Sequence, residues 1–230
     1  MARGFGATYG VSTSDDLVLN GFPWPTKYTF FCWFWSNNFA IGTAPRIFDG
    51  GGVSGTANAN LLEISATSLM EIQAPFSTTA GVFTANSAPS TNSWHTVIVE
   101  YDQSSTSNVP TFWIDGVQGT TITLTPPVGT IQGTAGINVY IGNRSASDRG
   151  LSGILSQFTF WNNKFLTTNE INSLVKGQSP LKIEPASIVA YLPLLGNSAG
   201  EPEWGPNHYG ISINGTKLQS NPPVQAYPFI

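Results

Sequence analysis

The chain predicts an all-β fold carrying one short helix, and three observations predict it. Charged residues fill only 10% of the 230 positions, well under the usual quarter, and Thr, Ser, Asn and Gly take the polar sites instead. The 24 Gly and 16 Pro punctuate short β-branched and aromatic runs, which is the spacing of strands and tight turns. One segment, Leu151 to Pro180, switches from period two to helical spacing. In it Ile154, Ser156, Phe158 and Phe160 alternate with Gly153, Leu155, Gln157, Thr159 and Trp161, so each set is expected on one face of a strand. Thr167 then stands three residues before Glu170, an S/T-x-x-E capping box, with Leu166 and Ile171 placed as a hydrophobic staple. Leu174 and Val175 continue the apolar stripe, and Gly177 and Pro180 stop it, which puts the helix near residues 168–176.

The other elements follow in order. Tyr28 to Trp35 is a strand-sized aromatic run, and a further strand ends at Phe48. Gly50-Gly51-Gly52 lacks the Lys and helix of a phosphate loop and reads as a loop after that strand. Strands are expected around Leu61–Ile64, Leu69–Gln73 and Val82–Thr84, then over Ser93–Asp102. Asp115-Gly116 between apolar runs is a hairpin signal, with Ile122 and Leu124 alternating with Thr as its return strand. No composition shift marks a boundary, so residues 1–230 read as a single domain with room for a substantial core. An N-terminal arm is expected over about residues 1–10, and a Pro-rich C-terminal strap over about 196–230 that folds back or reaches a neighbour.

Composition excludes several function classes. The net charge is −4 and Lys and Arg form no stripe, which argues against nucleic acid. No apolar run is long enough to insert in a membrane, and the first residues lack the layout of a signal peptide. The single Cys32 cannot form an internal disulfide and reads as a buried, inert thiol. Asn143-Arg144-Ser145 and Asn214-Gly215-Thr216 match the glycosylation pattern, as chance allows in so Asn-rich a chain.

Several segments share one resemblance. Tyr28 to Trp35 (YTFFCWFW), Ser93 to Asp102 (SWHTVIVEYD), Thr111 to Gly116 (TFWIDG), Val139 to Arg144 (VYIGNR) and the strand–helix unit after Leu151 follow one another in order. Together they resemble the LamG-like, concanavalin A-like lectin/glucanase superfamily over roughly residues 26–180. The resemblance implies a two-sheet antiparallel jelly-roll β-sandwich. One departure stands out. Many relatives open with a segment like "h-V-A-Y-W-P-L", whereas here Ile188 to Leu195 (IVAYLPLL) comes late, with Leu192 in the Trp position. The tail is therefore expected to return to the sheet near the N-terminal strands.

The superfamily includes glycan hydrolases, whose E-x-D-x-E or E-x-D-x-x-E run is absent here. Glu63 and Glu71 are separated by a turn, and Glu100 and Asp102 share a strand face without a third partner. His95 in the Trp94-His95 pair reads as structural, and no zinc set or Ser-His-Asp set rises above chance. No catalytic residue is assigned, and the chain is not expected to be an enzyme. The resemblance raises Ca²⁺ as the one candidate cofactor, with Asp49, Asn143 and Asp148 as weak ligands by chemistry, although Arg144 and Arg149 compete for Asp148. Sugars stack on aromatic faces, and Trp24 (in Pro-Trp-Pro), Trp204, His208 and Tyr209 lie in loops where they could do so.

Two functions are expected from this. One is a non-catalytic virion surface protein, a phage head decoration or a fibre or tail component. It would assemble in the host cytoplasm, with other virion proteins or a homo-oligomeric copy as partners. The alternative is an extracellular carbohydrate-binding module or adhesin for cell-surface glycans. An aromatic-plus-amide patch on one loop rim would favour the second.

Overall fold

A computed structural model describes residues 2–10, 12–38, 44–50, 60–132, 136–195 and 200–222. Two antiparallel sheets stack face to face, as the all-β expectation requires. The first sheet runs β10 (Val117–Gln118), β9 (Thr111–Ile114), β8 (Trp94–Asp102), β3 (Lys27–Ser36), β13 (Gly153–Asn162), β1 (Ala2–Phe5), β16 (Lys217–Gln219), with β14 (Ile188–Leu192) also paired to β13. The second runs β11 (Thr121–Thr125), β7 (Gly81–Ala85), β6 (Met70–Ala74), β5 (Leu61–Ile64), β4 (Arg46–Asp49), β12 (Ile137–Ile141), β2 (Asp16–Phe22), β15 (Ile211–Asn214). No helix among the described residues is long and apolar enough to cross a membrane.

The unbroken aromatic run of β3 has a simple cause: its sheet is covered on both faces. Tyr28, Phe30, Cys32 and Phe34 point into the sandwich, where they meet Phe48, Phe158 and Phe160. Phe31 and Trp33 point outward into a second cluster with Ile98, Trp161, Ile171 and Leu174. Burial pushes the Cys32 thiol well above its ordinary range, so it stays protonated and inert.

The cover over the outer face is the predicted helix, α2 (Thr168–Val175). Its capping box forms as expected, with Glu170 N donating to Thr167 Oγ1 at 3.4 Å and Thr167 N to Glu170 Oε2 at 2.7 Å. Buried Glu100, on β8, pins the lead-in: its Oε1 accepts from Leu166 N at 2.6 Å and its Oε2 from Trp113 Nε1 at 3.1 Å. Two 3-10 turns, Pro180–Lys182 and Pro185–Ser187, carry the chain from α2 back to β14.

Three expectations are corrected. The alternation in β13 does not hold throughout: its register on β3 shifts between Ser156 and Thr159, and Gln157 adopts φ 57°. This bulge puts Leu155 and Phe158 on the same inner face, since one extra residue inverts every position beyond it. Ile122 and Leu124 do not return the hairpin. Asp115 and Gly116 make the expected turn at φ 52° and 78°, but the return is only β10. The chain then crosses to the second sheet, where β11 pairs with β7.

Residues 1–10 are not an arm. Ala2–Phe5 is a buried strand between β13 and β16, followed by a single helical turn, α1 (Gly6–Tyr9). Of the two courses expected for the strap, residues 200–222 take the fold-back one, with β16 paired to β1 and β15 to β2. The tail thus comes back beside the N-terminal strands. The glycine run beyond Gly50 and the last stretch of the tail, residues 223–230, lie outside the described residues.

Candidate functional site

Four chain segments at one end of the sandwich build an open groove of ≈ 440 Å³. Its walls are Pro23-Trp24-Pro25 between β2 and β3, Asn162 at the end of β13, Ala186–Val189 entering β14, and Asn207 and Tyr209 from the tail. The prolines hold the β2–β3 connection extended and cannot donate to a ladder, so it stands outside both sheets. A second groove of ≈ 420 Å³, lined by Thr26, Lys27, Asp102, Ser104, Asn162 and Asn163, shares Asn162 with the first.

The predicted aromatic candidates separate. Trp24 and Tyr209 do meet in the first groove, but in different roles. Trp24 is only 9% exposed and is edge-on or tilted against Phe22, Tyr28, Phe48 and Phe160 at 5.2–5.7 Å. It is a core residue whose rim forms wall, which corrects the reading of it as a loop contact. Tyr209 is half-buried, with its ring edge-on to Phe22 at 5.8 Å, and burial raises its phenol above the ordinary range. Trp204 lies outside the groove: it donates its backbone N–H to Tyr191 O at 2.8 Å and stacks edge-on against Tyr191 in the outer cluster. His208 is exposed at φ 50°, with Nδ1 3.4 Å from Glu203 O, and does not line the groove.

The amides went unread in the sequence. Asn207 Nδ2 donates to Val189 O at 3.0 Å, which fixes its side chain across the groove wall and leaves Oδ1 as an acceptor. Asn162 is exposed where the two grooves join. Asp102 accepts from Ser104 N at 3.0 Å, and hydrogen bonds from Ser104, with Lys27 adding attraction, hold its carboxyl below the usual range. It is an ionised acceptor at neutral pH. Lys27 Nζ sits 4.5 Å over the Phe165 ring. The only sequence signal for these groups was their place beside turns, where Asn and Asp are common for other reasons.

The calcium candidates are engaged within the protein. Asp49 pairs with Arg46 at 3.4 Å. Asn143 donates to Thr13 O and Asp15 O and accepts from Arg144 N and Arg149 N, both at 3.0 Å, so it organises a loop. Asp148 forms a two-pronged bond with Arg144 at 2.5 and 2.7 Å. No cluster of three metal-ligating side chains occurs among the described residues. Glu63 and Glu71 face each other across β5 and β6, but Glu63 contacts Arg46 and Glu71 accepts from Gln73 at 3.0 Å.

One arrangement contradicts the expectation that no Ser-His-Asp set forms. His95 Nδ1 donates to Asp115 Oδ2 at 2.6 Å, while Nε2 lies 3.1 Å from both Ser90 Oγ and Ser93 Oγ. The hairpin turn supplies Asp115 to the start of β8, a pairing invisible before the fold is known. Nε2 also faces Ser90 O at 3.0 Å and the two hydroxyls bond each other at 2.6 Å, so neither serine has the imidazole to itself. The set works as a clamp, with Thr96 N donating to Asp115 Oδ1 at 2.8 Å. Burial pushes the Asp115 carboxyl up, but the bonds from His95 and Thr96 outweigh it and hold it below the ordinary value. Its contribution is therefore full above the unfolded pKa of about 3.9 and is lost as pH falls through the lower folded value. Urea titrations should find Asp115→Asn less stable than wild type at pH 6, with the gap closing below about pH 4.

Known proteins share this architecture. A protein of Bacteroides ovatus assigned to carbohydrate binding superposes with TM-score 0.66 at 15% identity, covering 98% of this chain, which spans 61% of its length. The heptameric SAP-like pentraxin of Limulus polyphemus follows at TM-score 0.52 and 13% identity, covering 76% of this chain and 81% of that one. The Ruminococcus gnavus IT-sialidase CBM40, solved with α2,3-sialyllactose, gives TM-score 0.50 at 12% identity over 73% of this chain and 97% of that one. At such identities the likeness is one of fold. No curated protein matches the sequence. The Laminin_G_3 family profile matches residues 5–172. By that match and by its two-sheet sandwich, this chain belongs to the concanavalin A-like lectin/glucanases superfamily.

Proposed function

We propose that the protein is a non-catalytic glycan-binding module, and that the groove between Tyr209, Asn207, Asn162 and the Pro23–Pro25 loop holds the sugar. The observation that carries this reading is the meeting of a half-buried tyrosine with two exposed amides in one groove. An aromatic wall takes the apolar face of a pyranose, and amides supply both donors and acceptors to its hydroxyls. The assignment of the Bacteroides protein to carbohydrate binding, and the sialyllactose bound to the Ruminococcus module, agree with this use of the fold. A glycan array followed by titration calorimetry tests it. Tyr209→Ala should weaken binding at least about tenfold, equivalent to ~1.4 kcal/mol. Trp204→Ala should leave the affinity unchanged. Absence of any glycan ligand would sink the reading.

A second reading is a virion surface protein assembled in the host cytoplasm. Val109, Val117, Ile122, Leu124 and Val128 are 55%, 70%, 43%, 56% and 49% exposed in or next to the β9–β11 region. Surface apolar groups concentrated there favour docking to a second copy of the chain. Light scattering would read a closed oligomer that Leu124→Lys dissociates, and co-sedimentation with phage particles would test the virion role. A monomer that ignores particles would refute it.

A further inference from the structure

The two grooves together define what kind of sugar fits. Of the described residues lining the first, none carries a charge: Tyr209 is the only ionisable one among them, and its phenol is neutral. No described lining residue there brings a positive charge to attract a carboxylate or sulfate. The second groove holds one cation and one anion, Lys27 and Asp102. Lys27 lies over the Phe165 ring and lends its charge to Asp102. Lys164, directly after the lining residue Asn163, is bonded to Glu184 at 2.6 Å. An anionic ligand would find there one ammonium, Lys27, whose charge the neighbouring Asp102 carboxylate already offsets, so the groove offers it no net attraction. A hydroxyl, by contrast, can donate to that carboxylate and bond the amides of Asn162 and Asn163 or the hydroxyls of Thr26 and Ser104.

Asn162 belongs to both linings, so the grooves form one track. Resting on the glycan-binding reading above, we infer that the ligand is an uncharged oligosaccharide of at least two residues, laid from Tyr209 across Asn162 to Asp102. One ring lies on the tyrosine wall. The next presents its hydroxyls to Asp102, Asn163 and Ser104, and Asn162 spans the linkage.

The test uses the full chain and a panel of neutral mono-, di- and trisaccharides beside their sialylated, sulfated and uronic acid counterparts. Titrations run at about 50 and about 500 mM NaCl, across which a charge-driven contact would be screened. Neutral disaccharides should bind at least about tenfold more tightly than monosaccharides, with less than about a twofold change between the salts. Asn162→Ala should erase the gain from the second residue, whereas Tyr209→Ala should weaken every length alike. Binding restricted to anionic glycans, or equal affinity for one and two residues, overturns this inference and leaves the module a glycan binder. Failure of every glycan to bind overturns the underlying reading as well.

Discussion

Replacing Arg3 with Met should lower the unfolding free energy by about 3–5 kcal/mol, the cost of stranding one buried charge. Arg3 is completely buried in β1. Its Nε and Nη2 donate to Glu201 Oε2 at 3.1 and 2.9 Å, and its Nη1 to Thr216 Oγ1 at 3.0 Å. Glu201 Oε1 in turn accepts from Leu195 N at 2.9 Å. Met fills similar volume but leaves the Glu201 carboxylate in a dry site without its cation. The matched double variant Arg3→Met/Glu201→Met removes both charges, and most of the loss should be recovered. Urea unfolding of the two proteins side by side measures the difference. A single variant as stable as wild type would show that water reaches Glu201, and that the pair does not hold the tail to β1.

Trp24→Ala should cost a similar ~3–5 kcal/mol, because it empties the space among Phe22, Tyr28, Phe48 and Phe160. Trp24→Phe keeps a ring there and discards a buried indole Nε1 that has no hydrogen-bond partner, so its cost should stay below about 1.5 kcal/mol. Since Trp24 offers the groove only its rim, the Phe variant should bind sugar within about twofold of wild type. A large loss of affinity in a stable Trp24→Phe protein would return the tryptophan to the role of a ligand platform. The contrast with Tyr209→Ala separates packing from recognition.

The parts of this molecule legible in the sequence are those whose cause is local. The Thr167–Glu170 box and the Asp115-Gly116 turn need only neighbours within a few residues, and both appear where expected. The fold class was legible as well, because aromatic strands and turn residues repeat along the chain. What escaped needed contacts between distant segments. Gln157 is a poor choice for a left-handed backbone, and only the demand that Leu155 and Phe158 share one face explains the bulge. Strands β15 and β16 are short and polar, so they read as strap until their partners β2 and β1 are known. The same holds for the site. Trp24 and Tyr209 were singled out for lying in loops, yet only the assembled fold shows that one is core and the other a wall. The amides between them carry no pattern that distinguishes a sugar contact from an ordinary turn residue.

The pairing of β1 with β16 also sets how the domain answers to force. Ala2 lies opposite Gln219, Arg3 opposite Leu218 and Gly4 opposite Lys217. Tension applied at Ala2 and Gln219 therefore enters both strands at the same end of the ladder. It opens the cross-strand bonds one after another, as a zip, instead of loading them all at once in shear. The resistance to such a pull then rests less on the ladder than on Arg3, whose bonds to Glu201 and Thr216 lie one step in from the opening end. A domain tethered through these two strands would yield at low tension, with that buried ion pair as its latch.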